Sequence, residues 1–106
     1  MKIDNKKIKI NNFFEIGNDL PITLIAGPCA LESESHAIEI ASVLKEITKK
    51  LNLKFIFKTS FDKANRTSLK NSRGLGIEPS LEIFKKIRND VKCPILTDVH
   101  LPEQCD

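Results

Sequence analysis

The sequence predicts an α/β fold built on a parallel sheet, and three observations support this class. Three short apolar runs, each bounded by turn-forming residues, are typical of strands. Two longer segments between them carry apolar residues at helical spacing. The resulting order of strand, helix, strand, helix, strand implies right-handed crossovers between parallel neighbours. An open doubly wound sheet and a barrel of eight strand–helix units both fit this order, and three strands complete neither.

A small antiparallel hairpin is predicted before the parallel strands. Apolar residues cluster at 8–10 and again at 13–16, and two asparagines separate the clusters. Asn tolerates positive φ, which a two-residue hairpin turn requires. We therefore interpret residues 1–19 as this hairpin and residues 20–106 as the first strand–helix units of one incomplete domain.

The first parallel strand and the first helix follow the hairpin. Residues 22–26 form a continuous apolar run, which is typical of a strand buried on both faces. Ser33 or Ser35 can cap the next helix, and Asn52 can end it. This helix carries one predicted apolar stripe, which consists of Ala37, Ile40, Ala41, Leu44, Ile47 and Leu51.

The second half of the chain repeats the pattern. A second strand is predicted at 54–58 and a third at 93–97. The helix between them accommodates Pro79 in its first turn and ends near Asp90. The helix is predicted to continue through Leu81, Phe84, Ile87 and Arg88.

Composition argues against several classes of protein. The 106 residues are 41% hydrophobic and 29% charged, which is ordinary for a soluble globular protein. A net charge of +3, with scattered lysines and no Trp or Tyr, argues against a nucleic-acid partner. No apolar run reaches the ~18 residues of a membrane helix, and no secretory signal stands at the start. The three irregularly spaced cysteines suit reduced thiols in the cytoplasm better than a disulfide framework.

Polar and reactive residues follow each predicted parallel strand. Cys29 follows the first strand, Lys58 and Ser60 the second, and Asp98 and His100 the third. The carboxyl ends of parallel strands lie on one face, where ligands bind in such folds. We therefore expect these side chains to converge on an active site. Each one taken singly also has an ordinary interpretation, such as a small buried cysteine or a lysine that extends to solvent.

The stretch after the second strand is the most cation-rich of these ends. It reads FIFKTSFDKANRTS over residues 55–68, so an apolar strand is followed at once by three cations and several hydroxyl and amide groups. This combination suits a ligand with more than one anionic group. A solvated loop is the alternative interpretation.

Four motifs, LIAGPCALES, FKTSFDKANRTS, RGLG and ILTDVH, occur in the order that resembles the 3-deoxy-D-manno-octulosonate 8-phosphate synthase family. The resemblance runs from about Leu20 to His100. It implies a (β/α)8 TIM barrel, often tetrameric, that condenses phosphoenolpyruvate with D-arabinose 5-phosphate and water for lipopolysaccharide biosynthesis. Such a barrel needs roughly 250 residues. We therefore expect this chain to be the N-terminal part of a longer active enzyme, comprising the hairpin, three strands and two helices, and to be inactive alone.

The resemblance also implies roles for the residues after the second and third strands. Lys58 and Ser60 match part of the phosphoenolpyruvate site. Lys63 matches a lysine that spans the reacting centre, and so is both a substrate-binding and a catalytic candidate. Asp98 and His100 match a pair near the reacting carbons, where an ionisable group can move a proton or orient water.

The loop and the cysteine complete the implied site. Asn65, Arg66 and Ser68 match the segment that holds the arabinose phosphate, in a loop that reaches a neighbouring subunit. Cys29 matches the metal-dependent class of the family, for which Zn²⁺, Fe²⁺ or Mn²⁺ is a suitable ion. The remaining metal ligands of that class lie on later strands, which this sequence does not contain.

Two other functions remain open at this point. One is a different phosphoenolpyruvate condensation on the same barrel, such as the seven-carbon aromatic-pathway synthase or a sialic acid synthase. The other is a binding or interaction domain without catalysis. The ANRTS run favours the octulosonate reaction over the other two condensations.

Overall fold

The computed structural model describes residues 4–63 and 74–106, which form an α/β arrangement of two small sheets and two helices. The elements in chain order are strands β1 (Ile8–Ile10), β2 (Phe14–Ile16) and β3 (Thr23–Ala26), helix α1 (Glu34–Lys50), strand β4 (Lys54–Lys58), helix α2 (Ile77–Asp90), strand β5 (Ile95–Leu96) and a final 3-10 turn (Pro102–Cys105). In the described part of the chain, neither helix has the length and apolar character that crossing a membrane requires.

The predicted hairpin is confirmed, but the loop between its paired strands has three residues, 11–13, instead of the predicted two. Strands β1 and β2 pair antiparallel, with Ile8 opposite Ile16 and Ile10 opposite Phe14. The turn between them uses Asn11 at a φ of 46°, a left-handed conformation that Asn tolerates better than most residues. A local turn preference therefore sets the register of this ribbon.

The predicted parallel sheet is also confirmed. Its order is β3-β4-β5, so β4 is bonded on both sides. Phe55 of β4 lies opposite Leu24 of β3, and Phe57 lies opposite both Ala26 and Ile95. The strand ends differ from the prediction by one or two residues, and β5 is reduced to two residues.

One core joins both helices to the same face of this sheet. Phe55 and Phe57 point into it from β4, Ala37 and Ala41 from α1, and Ile87 from α2. All five are buried. Small alanines let α1 approach the aromatic side chains of β4 closely, and this packing holds the strand that leads into the candidate site.

The predicted stripe of α1 is wrong at its C-terminal end. Ile47 and Leu51 are 48% and 64% exposed, and Thr48 is buried in their place. Helix α1 has 17 residues and β4 has five, so the helix is about 25 Å long and the strand about 17 Å. The helix therefore extends past the strand that it covers. The Thr48 hydroxyl is satisfied there because it donates to the Leu44 carbonyl over 2.8 Å.

The prediction that β3 is buried on both faces is also wrong for the described residues. Leu24 and Ile25 are 39% and 52% exposed. Among the described residues β3 pairs only with β4, and both helices cover a single face of the sheet. The apolar side chains on the other face of β3 therefore have no covering layer among the described residues.

Candidate active site at the carboxyl ends of the strands

The backbone that follows β3 lies directly against the end of β4. A Cβ atom added to Gly27 would lie 1.9 Å from the Lys58 carbonyl oxygen, so only a residue without a side chain fits at this position. Beyond the strands the two chains stay paired, since the Leu31 amide donates to the Ser60 carbonyl over 2.8 Å. The segments that follow β3 and β4 therefore lie side by side.

The end of β4 is joined in the same way to β5. The Thr59 amide donates to the Leu96 carbonyl over 3.3 Å. This pairing brings the residues after β5 beside those after β4. The side chains that the sequence predicts to converge after β4 and β5 are thereby placed within reach of each other.

Lys58, Ser60 and Asp98 form a polar cluster at this edge. The Lys58 ammonium lies 3.4 Å from the Ser60 hydroxyl oxygen and 3.8 Å from Oδ1 of Asp98. The side chains of Lys58 and Asp98 are 34% and 40% exposed, so the pair is accessible to solvent. The cluster combines one cation, one hydroxyl and one carboxylate at a surface that a ligand can reach.

The pKa of Asp98 lies below its ordinary value. Partial burial alone would raise the pKa of this carboxyl, but four stabilising interactions outweigh that effect. These are a hydrogen bond with Ser60, a hydrogen bond with its own backbone and the positive charges of Lys58 and Lys63. Asp98 is therefore a carboxylate at neutral pH, and Lys63 is near enough to affect it. Within the described residues, Oδ1 is shielded from solvent and makes no hydrogen bond.

His100 is fixed at the same edge by several contacts. Its Nε2 atom lies 3.9 Å from Oδ2 of Asp98 and within hydrogen-bond distance of the Asp62 carbonyl oxygen. Its ring packs against the ring of Phe61, with centroids 5.5 Å apart. Its backbone amide donates to Oε1 of Gln104 over 2.8 Å. The imidazole is thus oriented by contacts from two directions.

The structure brings together several of the residues that the sequence predicts for the site. Lys58, Ser60, Asp98 and His100 form one continuous set of contacts, and Lys63 adds its charge. The predicted sugar-phosphate residues, Asn65, Arg66 and Ser68, lie outside the described residues.

The predicted metal ligand, Cys29, has an exposed side chain in the segment after β3. Across residues 4–63 and 74–106, no group of three or more His, Cys, Asp or Glu side chains is arranged to hold a metal ion. The described residues therefore do not form a metal site by themselves, although a thiol is a chemically suitable single donor for a borderline divalent ion.

Three residues at this edge were missed by sequence reasoning. Gly27 has no assigned role in the sequence analysis, although its backbone lies directly against that of Lys58 and leaves no room for a side chain. Phe61 and Gln104 hold His100 through contacts that span 39 and four positions of the chain. The Gln104 contact is local, and a glutamine four residues after a candidate histidine is a signal that could have indicated it.

The chain is an α/β protein with a parallel sheet that carries lysine, carboxylate and imidazole groups at its strand ends. Proteins of this broad class have their ligand sites at the carboxyl ends of parallel strands. Within that class, the chain belongs to the DAHP synthetase I family, whose sequence model matches residues 2–106.

Individual relatives carry a more specific name. The protein named 2-dehydro-3-deoxyphosphooctonate aldolase in Rickettsia felis is 55% identical over 100 residues, which cover 94% of this chain and 36% of that protein. The protein of the same name in Bradyrhizobium diazoefficiens is 59% identical over 91 residues, covering 86% and 32% respectively. A third, in Rickettsia prowazekii, is 54% identical over 100 residues and covers 94% and 36%. The chain thus spans about a third of the length of these curated relatives.

Proposed function

We propose that the whole protein condenses phosphoenolpyruvate with D-arabinose 5-phosphate and water, giving 3-deoxy-D-manno-octulosonate 8-phosphate and phosphate. The observation that carries this proposal is the identity of 55% and 59% to proteins named 2-dehydro-3-deoxyphosphooctonate aldolase. The cluster of Lys58, Ser60, Asp98 and His100 at one sheet edge supports it, because the reaction needs both anion binding and proton transfer.

The chemistry defines what these side chains would do. A carbon–carbon bond forms between the methylene of phosphoenolpyruvate and the aldehyde carbon of the sugar, and the aldehyde oxygen takes up a proton. Water adds to the enol carbon and loses a proton, after which the phosphate group leaves. In this proposal Lys58 and Ser60 bind phosphoenolpyruvate through charge-assisted hydrogen bonds. Asp98 and His100 transfer a proton or orient water, and Lys63 spans the reacting centre.

The architecture that we propose for the whole protein is a (β/α)8 barrel. Strands β3, β4 and β5 would be its first three strands, α1 and α2 its first two helices, and the β1–β2 hairpin would cover the N-terminal ends of the strands. The parallel order of the sheet and the packing of both helices on one face support this arrangement. We further propose a cytoplasmic homotetramer, in which a loop containing Asn65, Arg66 and Ser68 holds the sugar phosphate near a neighbouring subunit.

Cys29 would supply one thiolate ligand to a Zn²⁺, Fe²⁺ or Mn²⁺ ion, and at least part of the remaining ligand set would have to come from outside the described residues. We assign no step of the reaction to this ion. Exhaustive chelation of the intact protein is expected to abolish condensation, and a divalent ion is expected to restore it. Unchanged activity after chelation would place the protein with the metal-independent class despite Cys29.

The decisive experiment measures product formation by the intact protein with arabinose 5-phosphate and, separately, with erythrose 4-phosphate. The proposal expects turnover of the five-carbon sugar phosphate. Preference for erythrose 4-phosphate would instead favour the seven-carbon reaction, which the description of the matching family supports as the second candidate. Turnover of neither, by folded protein with metal supplied, would favour a non-catalytic function.

Two substitutions locate the site on the structure. Lys58→Gln is expected to raise the KM for phosphoenolpyruvate, because it removes the cation of the cluster. Lys54→Gln is the matched control, since Lys54 begins the same strand at the opposite end of the sheet. Arg66→Ala is expected to raise mainly the KM for the sugar phosphate. An effect of Arg66→Ala on phosphoenolpyruvate alone would contradict the role proposed for Arg66.

A further inference from the structure

We infer that Asp62, Gln104 and Phe61 act together to hold His100 with its proton on Nε2, so that Nδ1 carries the lone pair of the neutral ring. Asp62 contributes its backbone carbonyl to this arrangement, and Gln104 and Phe61 are positioning residues. The meaning of this tautomer for catalysis rests on the proposed function. The tautomer itself can be tested without any assay of activity.

The two groups that face Nε2 determine the position of the proton. One is the carbonyl oxygen of Asp62, at hydrogen-bond distance, and the other is the carboxylate oxygen Oδ2 of Asp98 at 3.9 Å. A carbonyl oxygen and a carboxylate can only accept hydrogen bonds. A lone pair on Nε2 would be repelled by both, whereas an N–H group there is attracted by both. In a neutral imidazole the other nitrogen must then be the acceptor.

Among the described residues, no hydrogen bond to Nδ1 competes with this assignment. Nδ1, the acceptor nitrogen of His100, therefore receives no hydrogen bond from the described part of the chain. Within the proposed reaction it can take the proton that water loses when the water oxygen bonds to the enol carbon. The imidazolium so formed keeps its Nε2 proton against Asp62 and Asp98, which stabilises the added charge.

Gln104 fixes the backbone that carries the ring. Its side-chain oxygen accepts the amide of His100 over 2.8 Å and the amide of Leu101 over 3.0 Å. Two amides that share one acceptor hold the His100 backbone against the 3-10 turn Pro102–Cys105 that contains Gln104. Loss of that acceptor would leave two N–H groups to find water and would free the residue to move.

Phe61 fixes the plane of the ring. Its side chain is 3% exposed and its centroid lies 5.5 Å from that of the imidazole, with the two planes tilted by 47°. This separation and tilt lie within the range of favourable aromatic pairs. Because Phe61 directly precedes Asp62, a shift of this segment would move the stacking partner and the carbonyl acceptor together.

The tautomer can be read from the ¹⁵N chemical shifts of the imidazole nitrogens in intact protein labelled at histidine, above the pH at which the ring is charged. A protonated ring nitrogen and a lone-pair nitrogen resonate in well-separated regions. His36, the second histidine of the sequence, is assigned by its loss in His36→Gln and serves as an internal reference. A signal of His100 with the proton on Nε2 supports the inference. A proton on Nδ1, or an even mixture of tautomers, overturns it.

Two substitutions at one position separate a positioning role from a purely structural one. Gln104→Met keeps the length of the side chain but removes the acceptor, and is expected to lower kcat about tenfold to a hundredfold by misplacing the ring. Gln104→Glu keeps an acceptor oxygen, so it is expected to restore most of kcat. Equal kcat in Gln104→Met and wild type, with both proteins folded at the assay temperature, would overturn the role of Gln104. Absence of condensation in the wild type would instead refute the proposed function and leave the tautomer measurement valid.

Discussion

Replacing Gly27 with alanine tests the closest contact at the candidate site. The new Cβ atom would lie 1.9 Å from the carbonyl oxygen and 2.8 Å from the carbonyl carbon of Lys58. Both are backbone atoms, so no side-chain rotation can relieve the clash. Ordinary contact begins at 3.4 Å, and the ends of β3 and β4 must therefore separate by about 1.5 Å, more than the ~1 Å misplacement that can already cost a hundredfold in rate.

This separation should affect both stability and activity. Forcing an extra carbon into a well-packed place typically costs 1–3 kcal/mol, and we expect about 3 kcal/mol because only backbone can move. Lys58 shifts with its carbonyl, so its contact with Asp98, 3.8 Å in the wild type, is lost. A displacement of this size is expected to lower kcat/KM about a hundredfold. Urea unfolding of the variant and condensation assays of the intact protein measure the two effects.

Gly17→Ala is the matched control for this substitution. A Cβ atom at Gly17 would lie 3.2 Å from the Lys6 carbonyl oxygen and 3.4 Å from the Asp19 side chain, so a movement of a few tenths of an ångström accommodates it. We expect its free energy of unfolding to stay within about 1 kcal/mol of the wild type. The reasoning is refuted if Gly27→Ala matches the wild type in both its unfolding free energy and its kcat/KM.

Three further predictions each concern a single residue. Ser33→Ala removes the acceptor that caps α1 through the His36 amide, 3.2 Å away, and should lower the free energy of unfolding by about 1 kcal/mol in urea titrations. Ser35→Ala, which removes no cap, should not. The lowered pKa of Asp98 stabilises the folded state above the ordinary value of 3.8, so the unfolding free energies of wild type and Asp98→Asn should differ by a constant amount at neutral pH and converge as the pH falls below that value. Burial raises the pKa of the Cys93 thiol to about 11, although the charge of Lys45 opposes the shift. Cys93 should therefore resist alkylation at pH 8 in native protein while exposed Cys105 reacts, and equal rates would contradict this reasoning.

The parts of the fold that depend on neighbouring residues were predictable from the sequence. The asparagine turn of the hairpin, the serine cap of α1 and the end of α2 near Asp90 each arise from a preference acting over a few positions. The sequence left Ser33 and Ser35 as alternative caps. The structure selects Ser33, because its hydroxyl oxygen is the one that accepts the His36 amide.

The parts that depend on long-range packing were not predictable in the same way. Ile47 and Thr48 are neighbours on α1, and periodicity alone cannot tell how far the strand beneath the helix extends. In the structure, Thr48 is the buried residue of the two. An apolar run such as residues 22–26 indicates a strand but not how many neighbours cover it. The exposure of Ile25 can therefore be recognised only once the pairing of β3 and the face of the sheet that both helices cover are known.

The candidate site likewise has a part that local sequence predicts and a part that depends on long-range packing. Lys58, Asp98 and His100 were predictable because each directly follows an apolar run, and parallel strands bring such ends together. The contacts that orient them were not, since Gly27 meets Lys58 across 31 positions and Phe61 meets His100 across 39. Such contacts follow from strand register and crossover geometry, which a single sequence does not specify.

The central place of β4 in the sheet has a consequence for the timescales on which the site can open. Its backbone amides are flanked by β3 on one side and β5 on the other, whereas the two-stranded hairpin has no third neighbour among the described residues. Amide hydrogens in such a central strand exchange with solvent only through large, rare openings, while those of isolated ribbons exchange through frequent local fraying. Lys58 ends the strand that should exchange most slowly. The lysine at the candidate site is therefore expected to be anchored to the strand whose backbone opens least often.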